Sequence, residues 1–213
     1  MSLAAWTRRL GCAGAIVCAG AAFAQQQVGF YGRVLVEWLA PQTNMLRMRL
    51  LDDFGYRDQR GKNWSIRRAT EVDTSAYSDV YRVLVAEPFA TRRRRAELLH
   101  QVYSANLVEP WPQVRLMFYE TALAAGSSET EAKIMYLAAY ATGPRWALPD
   151  SSCYQRCHRP GETLVWRPKV EETDLYPVVE AIEFNKISID DIHHAVAQLT
   201  DGLPHPPEMI GKP

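Results

Sequence analysis

The chain is expected to fold as an α+β domain, with N-terminal antiparallel β hairpins packed against a C-terminal helical bundle of three main helices and two short helices after it. Three observations predict this. In the first third of the chain apolar and polar residues alternate, as at Leu46, Met48 and Leu50 against Arg47 and Arg49. After Pro88-Phe89 the apolar spacing changes to three and four residues. Strands therefore come first and helices second, without the βαβ alternation that builds a parallel sheet.

Val28–Trp38 is rich in β-branched and aromatic residues and reads as one strand, followed by a connection with turn chemistry at Pro41-Gln42-Thr43-Asn44. Phe54-Gly55-Tyr56 and Asn63-Trp64-Ser65-Ile66 flank a polar turn at Arg60-Gly61, the pattern of a hairpin. Arg67 to Asp79 reads as polar and irregular, and Tyr81–Val85 fits either a last strand or the start of helical structure. Residues 28–85 are thus mainly β, and residues 90–142 helical. Ala96, Leu99, Val102 and Tyr103 share one face of a helix over 91–105; Val114, Met117, Phe118, Thr121 and Ala122 share a face over 112–125. Gly126 suits a C-cap, and Ser128-Glu129-Thr130-Glu131 is a capping box opening a third helix through about Tyr140, which Gly143-Pro144 stops. A loop over 147–170 carries both later cysteines. Short helices occupy 174–200, one near 175–184 and one opened by Ser188 with Asp191 as a second cap. The tail over 204–213, with Pro204-His205-Pro206-Pro207, resists helix and reads as extended.

Composition bounds the function. The 213 residues carry 24 basic and 24 acidic side chains, which argues against nucleic-acid binding driven by bulk charge. With 12 glycines, 13 prolines and 47% apolar residues, collagen-like and low-complexity readings fail. No apolar run of about 18 residues or more follows the N-terminus, so the mature chain is not expected to span a membrane.

Residues 1–24 read as an export signal. Arg8 and Arg9 form a positive n-region, Leu10 to Ala22 an apolar region, and Ala22-Phe23-Ala24 a small-x-small cleavage site before Gln25. Lipidation at Cys12 is disfavoured, because Arg9 stands where that site wants an aliphatic residue and the apolar region follows the cysteine. Cleavage near Ala24 leaves a single domain over 25–203, slightly acidic and destined for the periplasm or secretion. There Cys153 and Cys157 are expected to form a local disulfide. Cys153-x-x-x-Cys157-His158 has one residue too many for c-type haem attachment, and too few clustered ligands for zinc, so no cofactor or metal is expected.

A series of motifs resembles the bacterial and phage family known as domain of unknown function 1353. In order along the chain these are Trp64, Pro88-Phe89, Leu98-Leu99-His100, Met117-Phe118-Tyr119-Glu120, Ala132-Lys133-Ile134-Met135-Tyr136 and Gly143-Pro144-Arg145-Trp146. The resemblance implies a polar site made by an Asp, a His-Asp pair and an acid on the second helix. This chain departs from that pattern. Asp73-Thr74-Ser75-Ala76-Tyr77-Ser78 stands for the family's Asp-Gly-Ala-Ser-Ile-Pro, Gln101 replaces the acid after the His, and the helix acid is missing around Arg115.

The candidate chemistry centres on His100. An imidazole can act as a base when a carboxylate such as Asp73 orients it, with Tyr119 or Glu120 contributed by the neighbouring helix. The competing reading is a polar pin that joins loop to helices. Gln101 keeps a hydrogen-bonding position and removes a titrating one. Arg92, Arg93, Arg94 and Arg95 offer an anion-binding surface, or a solvated helix start paired to Glu87 and Glu97. Asp190 and His194 have i, i+4 spacing, which a metal could share, but a capped exposed face accounts for them. The sequence favours a non-catalytic binding or accessory protein of the cell envelope, whose partner is an envelope component or another protein. The alternative is a hydrolase of peptide or cell-wall bonds using His100 and Asp73.

Overall fold

The computed structural model describes residues 27–39, 47–86, 89–90, 92–147 and 165–200. The expected signal segment, the Cys153–Cys157 loop with His158, and the 204–213 tail lie outside the described residues.

The architecture is α+β. Six short strands come first: β1 (Gly29–Gly32), β2 (Val36–Trp38), β3 (Arg47–Leu50), β4 (Phe54–Arg57), β5 (Asn63–Ile66) and β6 (Glu71–Asp73). They form two antiparallel three-stranded sheets, ordered β1-β4-β5 and β2-β3-β6. Four helices follow, α1 (Asp79–Val85), α2 (Arg94–Asn106), α3 (Trp111–Ala124) and α4 (Glu129–Thr142). A two-stranded ribbon of β7 (Arg145–Trp146) and β8 (Val165–Trp166) leads to α5 (Glu172–Glu180), a π-helical turn (Ala181–Asn185) and α6 (Ile189–Leu199).

The period-two pattern does what it predicts in β3, where Met48 and Leu50 are buried between half-exposed arginines. Each such burial stabilises by about 1.5–3 kcal/mol. The hairpin β4–β5 has the expected register, with Tyr56 opposite Trp64. Its turn is organised by Asp58, whose Oδ1 accepts the N–H groups of Arg60 and Lys62 while Oδ2 accepts the Trp64 indole N–H at 3.1 Å.

Two expectations for the β half need correction, and the alternative left open at Tyr81–Val85 resolves. Val28–Trp38 is two strands in different sheets, because the chain turns at Gly32, which has φ +75°. The segment expected to be irregular contains β6. That strand is held on β3 by its ladder and by Glu71, which takes Arg47 at 2.6 Å and Arg49 at 2.7 Å. Tyr81–Val85 is helical. Ser78 caps α1 by accepting the Tyr81 N–H, and the i, i+4 pair Tyr81 and Val85 is buried.

The helical signals read as expected. Ser128 and Glu131 make a reciprocal capping box at α4, and Ser188 and Asp191 make another at α6. At the end of α3, Ser127 N–H bonds to Ala122 O and Gly126 N–H to Leu123 O, closing a Schellman motif. Helix α3 packs between α2 and α4, and α1 lies against α4. The core runs from the sheets into this bundle through Met48, Phe54, Trp64, Leu98, Phe118 and Trp146, all fully buried. Among the described residues no helix is long and apolar enough to cross a membrane.

Candidate functional site

His100 lies in the middle of α2 on its inward face and is buried. Its ring stacks on Phe118 of α3, with centroids 4.2 Å apart and planes within 18°. The Arg115 Nη1 donates to His100 Nε2, so that nitrogen carries a lone pair and the imidazole is neutral. The proton then sits on Nδ1, which faces the Tyr77 hydroxyl at 3.4 Å. Burial first, and the Arg115 charge second, hold the imidazole well below its ordinary protonation range.

Arg115 is the hub of this cluster. It is fully buried on α3, and it ties α2 to the loop after α4: Nη1 also reaches Ser104 Oγ at 2.9 Å, and Nη2 reaches Pro144 O at 2.9 Å. All three acceptors are neutral. Desolvation pushes its pKa down to about 10, which still leaves it cationic at neutral pH. Gly143 makes room for it, since a Cβ there would collide with the guanidinium and with Ala139 O.

On the other side of His100, the Tyr77 ring stacks on Tyr81 at 4.0 Å, and the Tyr81 hydroxyl donates to Glu97 Oε1 at 3.3 Å. Glu97 also accepts the Phe89 N–H. Burial raises its carboxyl to about 7, against the lowering effect of these bonds and of Arg93 and Arg94. The cluster therefore runs from a buried cation through an imidazole and two phenols to a buried acid. A cavity of about 120 Å³ opens beside it where the start of α1, the middle of α2 and the end of α4 meet.

The other sequence candidates go elsewhere. Asp73 turns back on its own loop, its Oδ1 accepting Ser75 N–H at 2.8 Å and Ser75 O–H at 2.6 Å, and it is not among the partners of His100. Tyr119 packs edge-on against Tyr136, at 6.0 Å. Glu120 faces the β4–β5 turn, 3.4 Å from Arg60, and burial raises its carboxyl. The four arginines are dispersed. Arg92 pairs with Glu131 at 2.7 Å, Arg93 reaches Ala86 O, Arg94 reaches Phe89 O, and Arg95 lies over the Phe30 ring. At the far end, His193 meets the Tyr136 hydroxyl at 2.5 Å while His194 Nδ1 lies 2.8 Å from Asp190 O. Among the described residues no three His, Cys, Asp or Glu side chains gather where a metal could be held.

The family model described as Protein of unknown function (DUF1353) matches residues 48–139. Residues 48–139 are a DUF1353 domain. An uncharacterized protein, y4iH, of Sinorhizobium fredii (strain NBRC 101917 / NGR234) is 33% identical over 103 residues, which cover 47% of this chain. The chain spans 43% of that relative's length. No solved structure matches significantly. The DUF1353 segment includes Tyr77, Glu97, His100, Gln101 and Arg115, so most of the cluster belongs to it. Neither the family description nor the relative assigns an activity. Gln101 and Arg115, the two positions where the sequence pattern lacks an acid, both flank His100 in space.

Two parts of the cluster escaped sequence reading. Tyr77 stands just before the cap of α1 and Tyr81 within its first turn, a stacking that no helical period encodes. Glu97 and Ser104 sit one turn either side of His100 on α2, a spacing visible in the sequence once the inward face is known.

Proposed function

We propose that this protein is a non-catalytic binding domain of the cell envelope, using the polar cluster around His100 to shape a binding site. One observation carries the reading: Arg115 donates to Nε2 of His100, while Asp73 is spent on Ser75. A base needs a free lone pair and a group that stabilises its protonated form. Here the lone pair is taken by a cation, which opposes protonation. The envelope location rests on the Arg8-Arg9, apolar and Ala22-Phe23-Ala24 pattern of the N-terminus.

The test is a thermal-shift titration of the purified protein against peptidoglycan, envelope lipid vesicles and soluble periplasmic extract. A saturable rise in melting temperature with one of these is expected, since a ligand that binds only the folded state stabilises it. No rise with any fraction would overturn the reading.

A further inference from the structure

The wall of the cavity beside His100 has a composition that selects its occupant. Most of its hydroxyls are already committed. Thr142 donates to Ala138 O, and Ser78 accepts the Tyr81 N–H and lies 2.8 Å from Thr142 Oγ1. The Tyr77 hydroxyl donates to Tyr81, which donates to Glu97, so two buried donors are left over. Gln101 lines the cavity, is 8% exposed, and its side-chain amide nitrogen has no hydrogen-bond partner. Ser104 also lines it; its Oγ accepts from Arg115, which leaves its O–H proton to donate. Arg167, exposed, completes the wall at its mouth. The remaining lining is largely apolar, including Ala105, Ala139 and Pro144.

Charge points the same way. Arg115 is a fully buried cation whose hydrogen-bond acceptors are all neutral. A guanidinium taken out of water without a counter-charge is costly, and its field in a low-dielectric interior is strong. Two of its acceptors, His100 and Ser104, are cavity-wall residues, so that field reaches the space. An unpartnered buried amide N–H is likewise a group that a ligand acceptor would satisfy.

We infer that the cavity is a binding site for a small organic monocarboxylate, its oxygens taken by Gln101, Ser104 and Arg167 and its short apolar body by the alanine and proline wall. The size fits a short monocarboxylate: an apolar cavity of about 150 Å³ holds the six carbons of benzene, so about 120 Å³ encloses roughly five non-hydrogen atoms, leaving part of the carboxylate toward exposed Arg167. Phosphate is disfavoured, because all four of its oxygens need polar partners and the cavity offers few donors against a largely apolar wall. The inference rests on reading the cluster as a binding site, and it names the ligand class of that site.

The experiment is calorimetric titration of the purified protein with sodium butanoate, and with sodium phosphate and sodium chloride at matched ionic strength. Saturable butanoate binding is expected, weakened at least tenfold in Gln101→Glu, which sets a like charge against the carboxylate, and several-fold in Arg167→Ala. Arg167 is exposed, so its variant remains decisive if Gln101→Glu does not fold. Absence of saturable butanoate binding, binding unchanged in the folded variants, or phosphate binding as tightly would each overturn the inference. Stabilisation by an envelope fraction without butanoate binding would overturn this inference and leave the binding reading standing. Butanoate binding without stabilisation by any fraction would support the inference and overturn only the envelope reading.

Discussion

Glu97 gives the cluster a pH signature that can be isolated by one substitution. Its carboxyl is raised from the ordinary 4.5 to about 7, chiefly by burial. Between those values the folded protein holds a proton that the unfolded chain has released, so stability falls as pH rises through the window. At about 1.4 kcal/mol for each tenfold change in proton affinity, the fall amounts to about 3 kcal/mol, complete a little above pH 7. His100 acts in the opposite direction. Its imidazole is held well below 6.5, so under acid conditions the unfolded chain binds a proton that the fold refuses, and stability rises with pH there. The two slopes oppose each other in the wild-type protein. Glu97→Gln removes one of them while keeping the side-chain volume and an oxygen for the Phe89 N–H. The stability of the variant relative to wild type should therefore climb from pH 4.5 and level off above pH 7. For a domain of this size that is a relative gain of roughly 10 °C in melting temperature. Thermal melts of both proteins at pH 5, 6, 7 and 8 measure it, with the slope from His100 cancelling in the difference. A difference that stays flat across the series, or shrinks as pH rises, would refute the assignment of Glu97 as the buried acid.

The remaining predictions concern the scaffold around the cluster. His100→Ala removes the ring stacked on Phe118 and an acceptor of Arg115, and is expected to cost about 2–4 kcal/mol in denaturant unfolding. Gly143→Ala forces a Cβ against the Arg115 guanidinium and Ala139 O, and should cost about 1–3 kcal/mol by thermal melting. Asp58→Ala strips the β4–β5 turn of the acceptor for two backbone N–H groups and the Trp64 indole. A loss of about 2–4 kcal/mol is expected, together with a change in tryptophan fluorescence as Trp64 loses its partner.

What was legible in the sequence was what local physics decides. The alternation at Met48 and Leu50, the hairpin through Trp64, and the caps at Ser128 and Ser188 each depend on residues within a few positions, and each takes the form its pattern predicts. β6 was not legible because three residues with one buried side chain, Val72, carry no period. It exists because its backbone pairs with β3, which sets Val72 opposite the buried Met48, and because Glu71 meets Arg47 and Arg49 across the sheet. The same distinction governs the site. His100 was legible as a candidate, and Gln101 and Arg115 as departures from the pattern of related sequences. Pairing Asp73 with His100 relied on a motif order that says nothing about direction in space. The Asp73 carboxylate bends to Ser75 two residues on, a local bond that competes successfully with any distant partner.

The energetics of Arg115 favour a binding role over a purely structural one. Its three neutral acceptors do hold α2, α3 and the α4 exit together. Neutral acceptors nevertheless recover only part of the cost of burying a cation, and apolar side chains of similar volume in such positions are often neutral or stabilising by 1–4 kcal/mol. One more leucine or methionine in that bundle would add cohesion without the desolvation cost. A site that receives an anion reverses the balance, because the charge that penalises the empty fold attracts the ligand. The neighbouring features are consistent with that use. Gly143 forgoes a side chain to seat the guanidinium, and Gln101 keeps a donor without bringing a carboxylate beside it.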